Sequence, residues 1–287
     1  MRPPATLRAA APAAGGRAGR PGLILGGSLV GAVFAAALIS LVWTPHDPTA
    51  IAVSERFLPP SGAHWLGTDQ FGRDVVSQLL VGARNSVLVA LLAVGLGGSV
   101  GAALGLWASA MGGWVEEAVM RLADFGFAFP ALLFAIMLAA VFGPSLSNAV
   151  LAIAFINVPI FARVARGSAG VIWTMDYVMA ARAAGRSRAA IAVAHVLPNI
   201  SAMLLVQATI EFAVAILAEA ALSYLGLGVQ PPTPSWGRML SEAQTLLYLQ
   251  PGLAVWPGLC IVAAVVGFNM LGDGLRDWAD PRLRHAR

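Results

Sequence analysis

Apolar positions in this chain gather into long runs separated by shorter polar stretches, with no sustained alternation of the kind a half-buried strand shows. Six such runs stand out, at residues 23–43, 86–111, 125–142, 146–162, 200–224 and 252–271. The first is 21 residues without a charge, and about 20 apolar residues suffice for a helix to cross the hydrocarbon core. Inside lipid every backbone polar group needs an internal partner, which a helix provides for itself. The pattern predicts an all-α integral membrane protein with six transmembrane helices.

The runs divide the chain into a basic tail at 1–22, a first transmembrane helix at 23–43 and an outer loop at 44–85. A core of five further helices follows at 86–274, with a long polar loop at 163–199 inside it and a tail at 275–287. Gly95, Gly97, Gly98, Gly101 and Gly105 give the second run a small-residue face for close helix packing. Residues 112–124 form a short charged connection. Pro130 interrupts the third run early, Pro159 lies in the fourth, and 225–251 is a proline-rich excursion. A cleaved signal peptide is the rival reading of the first run. Signal cores span only about 7–15 apolar residues, so retention is the expectation.

Composition agrees with this class. Apolar residues make up 58% and charged residues 11%, against about 25% charged in soluble domains. The single cysteine, Cys260, excludes an intramolecular disulfide. All 18 basic residues are arginine, which excludes a Walker A loop and its phosphate-binding lysine. With six spans and the amino terminus inside, fourteen arginines fall on the cytoplasmic side. Four, Arg56, Arg73, Arg84 and Arg238, fall outside. That bias places both termini and the 163–199 loop in the cytoplasm.

Candidate chemistry is sparse. Gln207, Glu211 and Glu219 form a loose polar stripe on the fifth run. Ionisable residues within spans are candidates for lining a translocation pathway; hydration near the outer end, or hydrogen bonding between helices, is the alternative. In the outer loop, His46, His64, Asp69 and Asp74 raise the question of a metal site. No close helical histidine spacing supports one, and the expectation is a glycine-bounded turn in which Thr68 or Asp69 caps the next helix. Trp43, Trp65, Trp236, Trp256 and Trp278 lie near run boundaries and suggest an interfacial belt.

The stretch 177–199 is basic and rich in alanine. Residues 178–184 favour a helix of small side chains, Gly185 offers a left-handed end to it, and Ser187 caps a second helix. That second helix is expected to stop before Pro198. A small-sided helix permits close approach by another protein, so the segment reads as a docking surface; an interfacial loop with arginines near lipid phosphate is the other reading.

Ala180-Ala181, then Gly185, then Leu197-Pro198 resembles the cytoplasmic-loop signature of ABC importer permeases. Met179 stands where the family's motif opens with an acid, and Arg186 and Arg188 follow the glycine. The string from His64 to Asp74, with Gly82-Ala83-Arg84-Asn85-Ser86, is similar to a segment of the dipeptide, oligopeptide and nickel subfamily, as are residues 219–228, 231–237 and 272–277. The resemblance implies a type I importer fold in a bacterial inner membrane and a chain with no catalytic residue and no cofactor or metal of its own. It implies four kinds of partner or setting: a second related permease, two ATPases that use ATP and magnesium, an extracytoplasmic binding protein, and the lipid bilayer. Ala180, Ala181, Gly185, Leu197 and Pro198 would then dock the ATPase. The implied solute is a di- or oligopeptide, alternatively nickel or another small peptide-like solute. A secondary transporter working through Glu211 and Glu219, or a non-transporting anchor, are the competing classes; no inverted repeat is evident to support the former.

Overall fold

The computed structural model describes residues 19–279; most of the expected amino-terminal tail and the end of the carboxy-terminal tail lie outside them. Five long apolar helices dominate: α1 (Gly19–Val42), α2 (Val75–Met111), α5 (Leu146–Trp173), α8 (Leu197–Tyr224) and α10 (Gly252–Ala279). A bent pair, α3 (Gly113–Ala128) and α4 (Ala131–Phe142), passes the same test of length and composition when taken together, which makes six spans if the pair is one. Short helices α6 (Asp176–Ala183), α7 (Arg188–Ile191) and α9 (Trp236–Ala243) complete the chain. No strand occurs among the described residues, only an isolated bridge between Thr68 and Asp74.

Boundaries differ from the hydropathy reading wherever a helix runs on past its apolar stretch. The helix of the second span starts at Val75 rather than at residue 86, because Asp74 accepts a hydrogen bond from the Ser77 amide at 2.8 Å and caps it. Neither Thr68 nor Asp69 is the cap. At 37 residues, α2 is roughly 55 Å long, well beyond a hydrocarbon core of about 30 Å. The fourth span runs on through Arg163 and Arg166 to Trp173.

The connection expected at 112–124 is helical as α3, and Arg163 and Arg166 of α5 pair with its Asp124 and Glu116. Pro130 breaks the third span instead of merely kinking it: Phe129 is extended, as a residue before proline prefers, and the two halves diverge by 79°.

Close packing of α2 on α5 organises the core. A Cβ on Gly97, Gly101 or Gly105 would stand 2.3–2.5 Å from the carbonyl oxygens of Ala154, Val158 and Ala162 respectively. Only glycine permits that approach. Gly95, grouped with them by sequence, faces open space. On the other side α1 runs antiparallel to α10, with Gly26 against Leu271 and Gly274 against Leu23. Phe34, Phe212 and Phe268 join α1, α8 and α10, the last two rings stacked at 4.4 Å. Much of the rest of these helices is apolar and exposed, Leu38, Leu91, Leu217 and Leu259 among them, as surfaces that meet lipid require.

Candidate functional site

Two constructions stand at opposite ends of the bundle. On the arginine-rich side, the chain leaves α5 at Trp173 and folds into α6, α7 and a π-helical turn, Ala192–Val196, that leads into α8. Gly185 adopts φ +80°, its amide bonds to the Arg182 carbonyl, and the Arg186 amide bonds to that of Ala181. This is the left-handed ending that glycine makes possible. Ser187 caps α7 by accepting from the Ala190 amide at 3.2 Å. Both features agree with the local sequence reading.

The expected stop before Pro198 does not occur. Leu197 and Pro198 form the first turn of α8, and the backbone remains helical from Arg188 to Tyr224. A proline inside a helix removes one hydrogen bond and crowds the carbonyl four residues earlier. The wider π turn immediately before Pro198 relieves that crowding.

This segment is anchored by a small apolar cluster of Ala165, Ala169, Val178, Ile191, Val196 and Ile200, against which Ala181 and Leu197 pack. Arg188 adds a polar anchor, donating to the carbonyls of Ala110 and Met111 at the end of α2. Sequence placed five residues on one docking surface, and the fold divides them. Ala180, Gly185 and Pro198 are exposed, whereas Ala181 and Leu197 are half-buried and face the anchor. Around the exposed three lie Met175, Tyr177 and Met179, each 41–50% exposed. Asp176, Arg182 and Arg186 are exposed in the same segment, so the surface mixes small, apolar and charged side chains.

The stripe on α8 also divides. Glu219 is fully buried and its carboxylate is enclosed by this chain: Ser86 of α2 and Ser223 each donate to it at 2.7 Å. Ser223 in turn accepts from the Val229 amide, which pins the 225–230 turn. Glu219 therefore ties α2 to α8 in the chain as folded. Glu211, also buried, accepts from Gln207 at 2.8 Å one turn away.

At the other end, residues 43–74 and 225–251 form a cap over the start of α2 and the end of α8. Asp69 is its hub, accepting from the amides of Phe71 and Arg73, from Arg73 Nε at 2.6 Å and from Gln78 at 2.9 Å. Arg73 continues to Glu242 on α9, which also pairs with Arg238. These groups are mostly buried, and their mutual pairing meets the cost of dehydrating them. Gly72, at φ +77°, could not carry a Cβ, which would fall 1.9 Å from the Ala52 carbonyl oxygen. Trp236, expected in an interfacial belt, is instead 2% exposed, seated on Gly82 and donating to the Leu79 carbonyl at 3.1 Å. Trp43 and Trp65 are half-exposed neighbours, with ring centroids 6.4 Å apart. Among the four polar residues of the outer loop, Asp69 belongs to the arginine network, while His46, His64 and Asp74 come together. No helical spacing announced that meeting, since the three arrive from different turns of one irregular loop.

A polytopic bundle with a small-sided helical platform on the cytoplasmic side and a tied cap on the other is the build of a transport subunit. Residues 97–285 match the model of the binding-protein-dependent transport system inner membrane component family. The chain belongs to that family. It is 43% identical to the dipeptide transport system permease protein DppC of Alkalihalophilus pseudofirmus over 88% of this chain and 82% of that protein. It is 41% identical to the probable D,D-dipeptide transport system permease protein DdpC of Escherichia coli, over 85% and 84%. The glutathione transport system permease protein GsiD of Pectobacterium atrosepticum is also 41% identical, over 78% and 75%. The fold is similar to that of an inward-facing MetNI methionine ABC transporter chain, with a TM-score of 0.59 over 71% of this chain and 96% of that one, at 17% identity. The protein is thus a non-catalytic inner-membrane permease component of a binding-protein-dependent transport system.

Proposed function

We propose that this permease carries short peptides inward across the cytoplasmic membrane, driven by two cytoplasmic ATPases that consume ATP with magnesium. A second, related permease completes the pathway, and a binding protein delivers peptide to the outer cap. The observation that carries the coupling role is the anchoring of α6 and α7. Their inner side is tied to α2, α5 and α8, while Ala180, Gly185 and Pro198 face outward. A push on the exposed side reaches three spans at once. Two states of the bundle can then be favoured alternately, according to what the ATPases hold.

Peptide as the solute is supported by the dipeptide and glutathione systems to which its relatives belong. The test is reconstitution of this chain with its partner permease, ATPases and binding protein in sealed vesicles. ATP-dependent uptake of labelled dipeptide, competed by other short peptides and not by nickel, is the expected result. Proton-driven uptake by this chain without ATPases would overturn the reading.

A further inference from the structure

We propose that His46, His64 and Asp74 form a binding site for a divalent transition-metal ion of the zinc type on the outer cap. One donor atom from each of the three lies within 4.8 Å of the others. His64 Nδ1 is 3.0 Å from Asp74 Oδ1, and His46 Nδ1 is 3.7 Å from the same oxygen. Ligands at about 2.0–2.2 Å from a tetrahedral ion stand roughly 3.4 Å apart, so small side-chain adjustments complete the arrangement. Two imidazoles and a carboxylate suit zinc or its neighbours, whereas magnesium and calcium take oxygen donors. The rings of His46 and His64 lie 4.4 Å apart and are tilted by 31° to one another.

Second contacts hold each ligand in place. Asp74 Oδ2 is engaged by the Ser77 amide and hydroxyl, both at 2.8 Å, which leaves Oδ1 for the ion. Ser77 Oγ also accepts from the backbone amide of His46 at 2.9 Å, fixing that residue beside the carboxylate. On the far side of His64, Nε2 is 3.8 Å from Glu55 Oε2. A histidine that binds metal through one nitrogen characteristically turns the other N–H to a carboxylate. His64 thus has the Asp74 carboxylate at 3.0 Å from Nδ1 and that of Glu55 within reach of Nε2. His46 is 42% exposed, which opens the site to solvent, while Asp74 is 1% exposed and rigid at the start of α2. The ion would fasten the segment leaving α1 to the entry of α2.

The test uses the full chain in lipid nanodiscs, purified on a tag without histidine, and titrates zinc chloride in competition with a chromophoric chelator. One zinc per chain is expected, with affinity reduced more than about 100-fold in His46→Asn and about tenfold or more in Glu55→Gln. His46 is exposed, so its variant folds. His195→Asn, on the opposite side of the membrane, should bind as the unaltered chain does. Cobalt(II) should give intense visible absorption of tetrahedral type, lost in His64→Asn. Absence of stoichiometric zinc, or equal affinity in His46→Asn and the unaltered chain, would overturn the proposal and leave the His64–Asp74 contact as a hydrogen bond of the cap.

Discussion

Arg188 Nη1 lies 2.9 Å from the carbonyl oxygen of Met111 and 3.2 Å from that of Ala110, 78 residues away in sequence. These carbonyls end α2, where no further turn satisfies them and where the helix dipole favours a cation. One side chain thus joins the platform of α6 and α7 to the longest helix of the bundle. Arginine after the glycine reads in sequence as a departure of uncertain use; in the fold it is an internal strut.

Removing that strut should weaken transmission more than stability. A cation at an exposed helix end contributes about 0.3–1 kcal/mol, so Arg188→Ala should insert and unfold nearly as the parent does. Solute-stimulated ATP hydrolysis should fall several-fold in reconstituted complexes, and Arg188→Lys should restore part of it. Unchanged stimulation in Arg188→Ala would show that the apolar cluster alone carries the motion.

The exposed residues of the platform predict a different phenotype. A large side chain at Ala180 enters no packed space within this chain, so Ala180→Trp should assemble in the membrane normally. It should shed ATPases on gentle purification, because overpacking a fitted contact costs roughly 1–3 kcal/mol. Gly185 has open space around it but φ +80°. Gly185→Val should therefore fail through backbone strain, and Gly185→Asn, which tolerates that conformation, should retain coupling. Full retention of ATPases by Ala180→Trp would rule out this face as the docking surface. Ala181→Trp is the less informative variant, since Ala181 packs inward and its replacement would disturb the anchor itself.

Helix packing gives a stability prediction with an internal control. Gly101→Ala and Gly105→Ala place a methyl about 2.3 Å from carbonyl oxygens of α5, which forces α2 and α5 apart. Each should lower thermal stability in detergent by an amount of order 1–3 kcal/mol. Gly95→Ala meets nothing within 4 Å and should be neutral, or slightly stabilising from its better helix propensity.

Sidedness can be read by labelling. In a Cys260→Ser background, an impermeant thiol reagent added outside should modify Ser61→Cys on the cap and spare Ser187→Cys on the platform. Labelling of position 187 in sealed cells would reverse the topology drawn from the arginines.

What hydropathy made legible was the number and order of the apolar helices, because lipid imposes a length and a composition on each. Helix ends were legible only where a local signal exists, as at Gly185 and Ser187. Val75 was missed because Ser77, Gln78, Arg84 and Asn85 interrupt the apolar pattern over the first turns of α2. Pro198 misled because a π turn, which leaves no mark in composition, absorbed the proline. The seat of Trp236 and the partner of Glu219 were not legible because both lie on α2, at Gly82 and Ser86, about 150 and 130 residues distant. Pairings at that range are set by tertiary packing, and the pattern of a single run does not contain them.

Glu219 supplies the sharpest contrast between pathway and scaffold. Its carboxylate holds two hydroxyls, Ser86 and Ser223, and the second of these holds the Val229 amide. Glu219→Ala would strand both hydroxyls in a fully buried site, and each unsatisfied group costs about 1–3 kcal/mol. That variant should be poorly stable and should loosen the cap, seen as faster proteolysis within 225–251. Glu219→Gln keeps an acceptor oxygen for one hydroxyl and should recover much of the stability. In the same variant, peptide uptake should remain dependent on ATP and indifferent to an imposed proton gradient, since a buried lock exchanges no proton with either side. If Glu219→Gln were stable yet abolished uptake or altered solute preference, the carboxylate would have to face the pathway in another state of the bundle. The static lock between α2 and α8 would then be one half of a moving part.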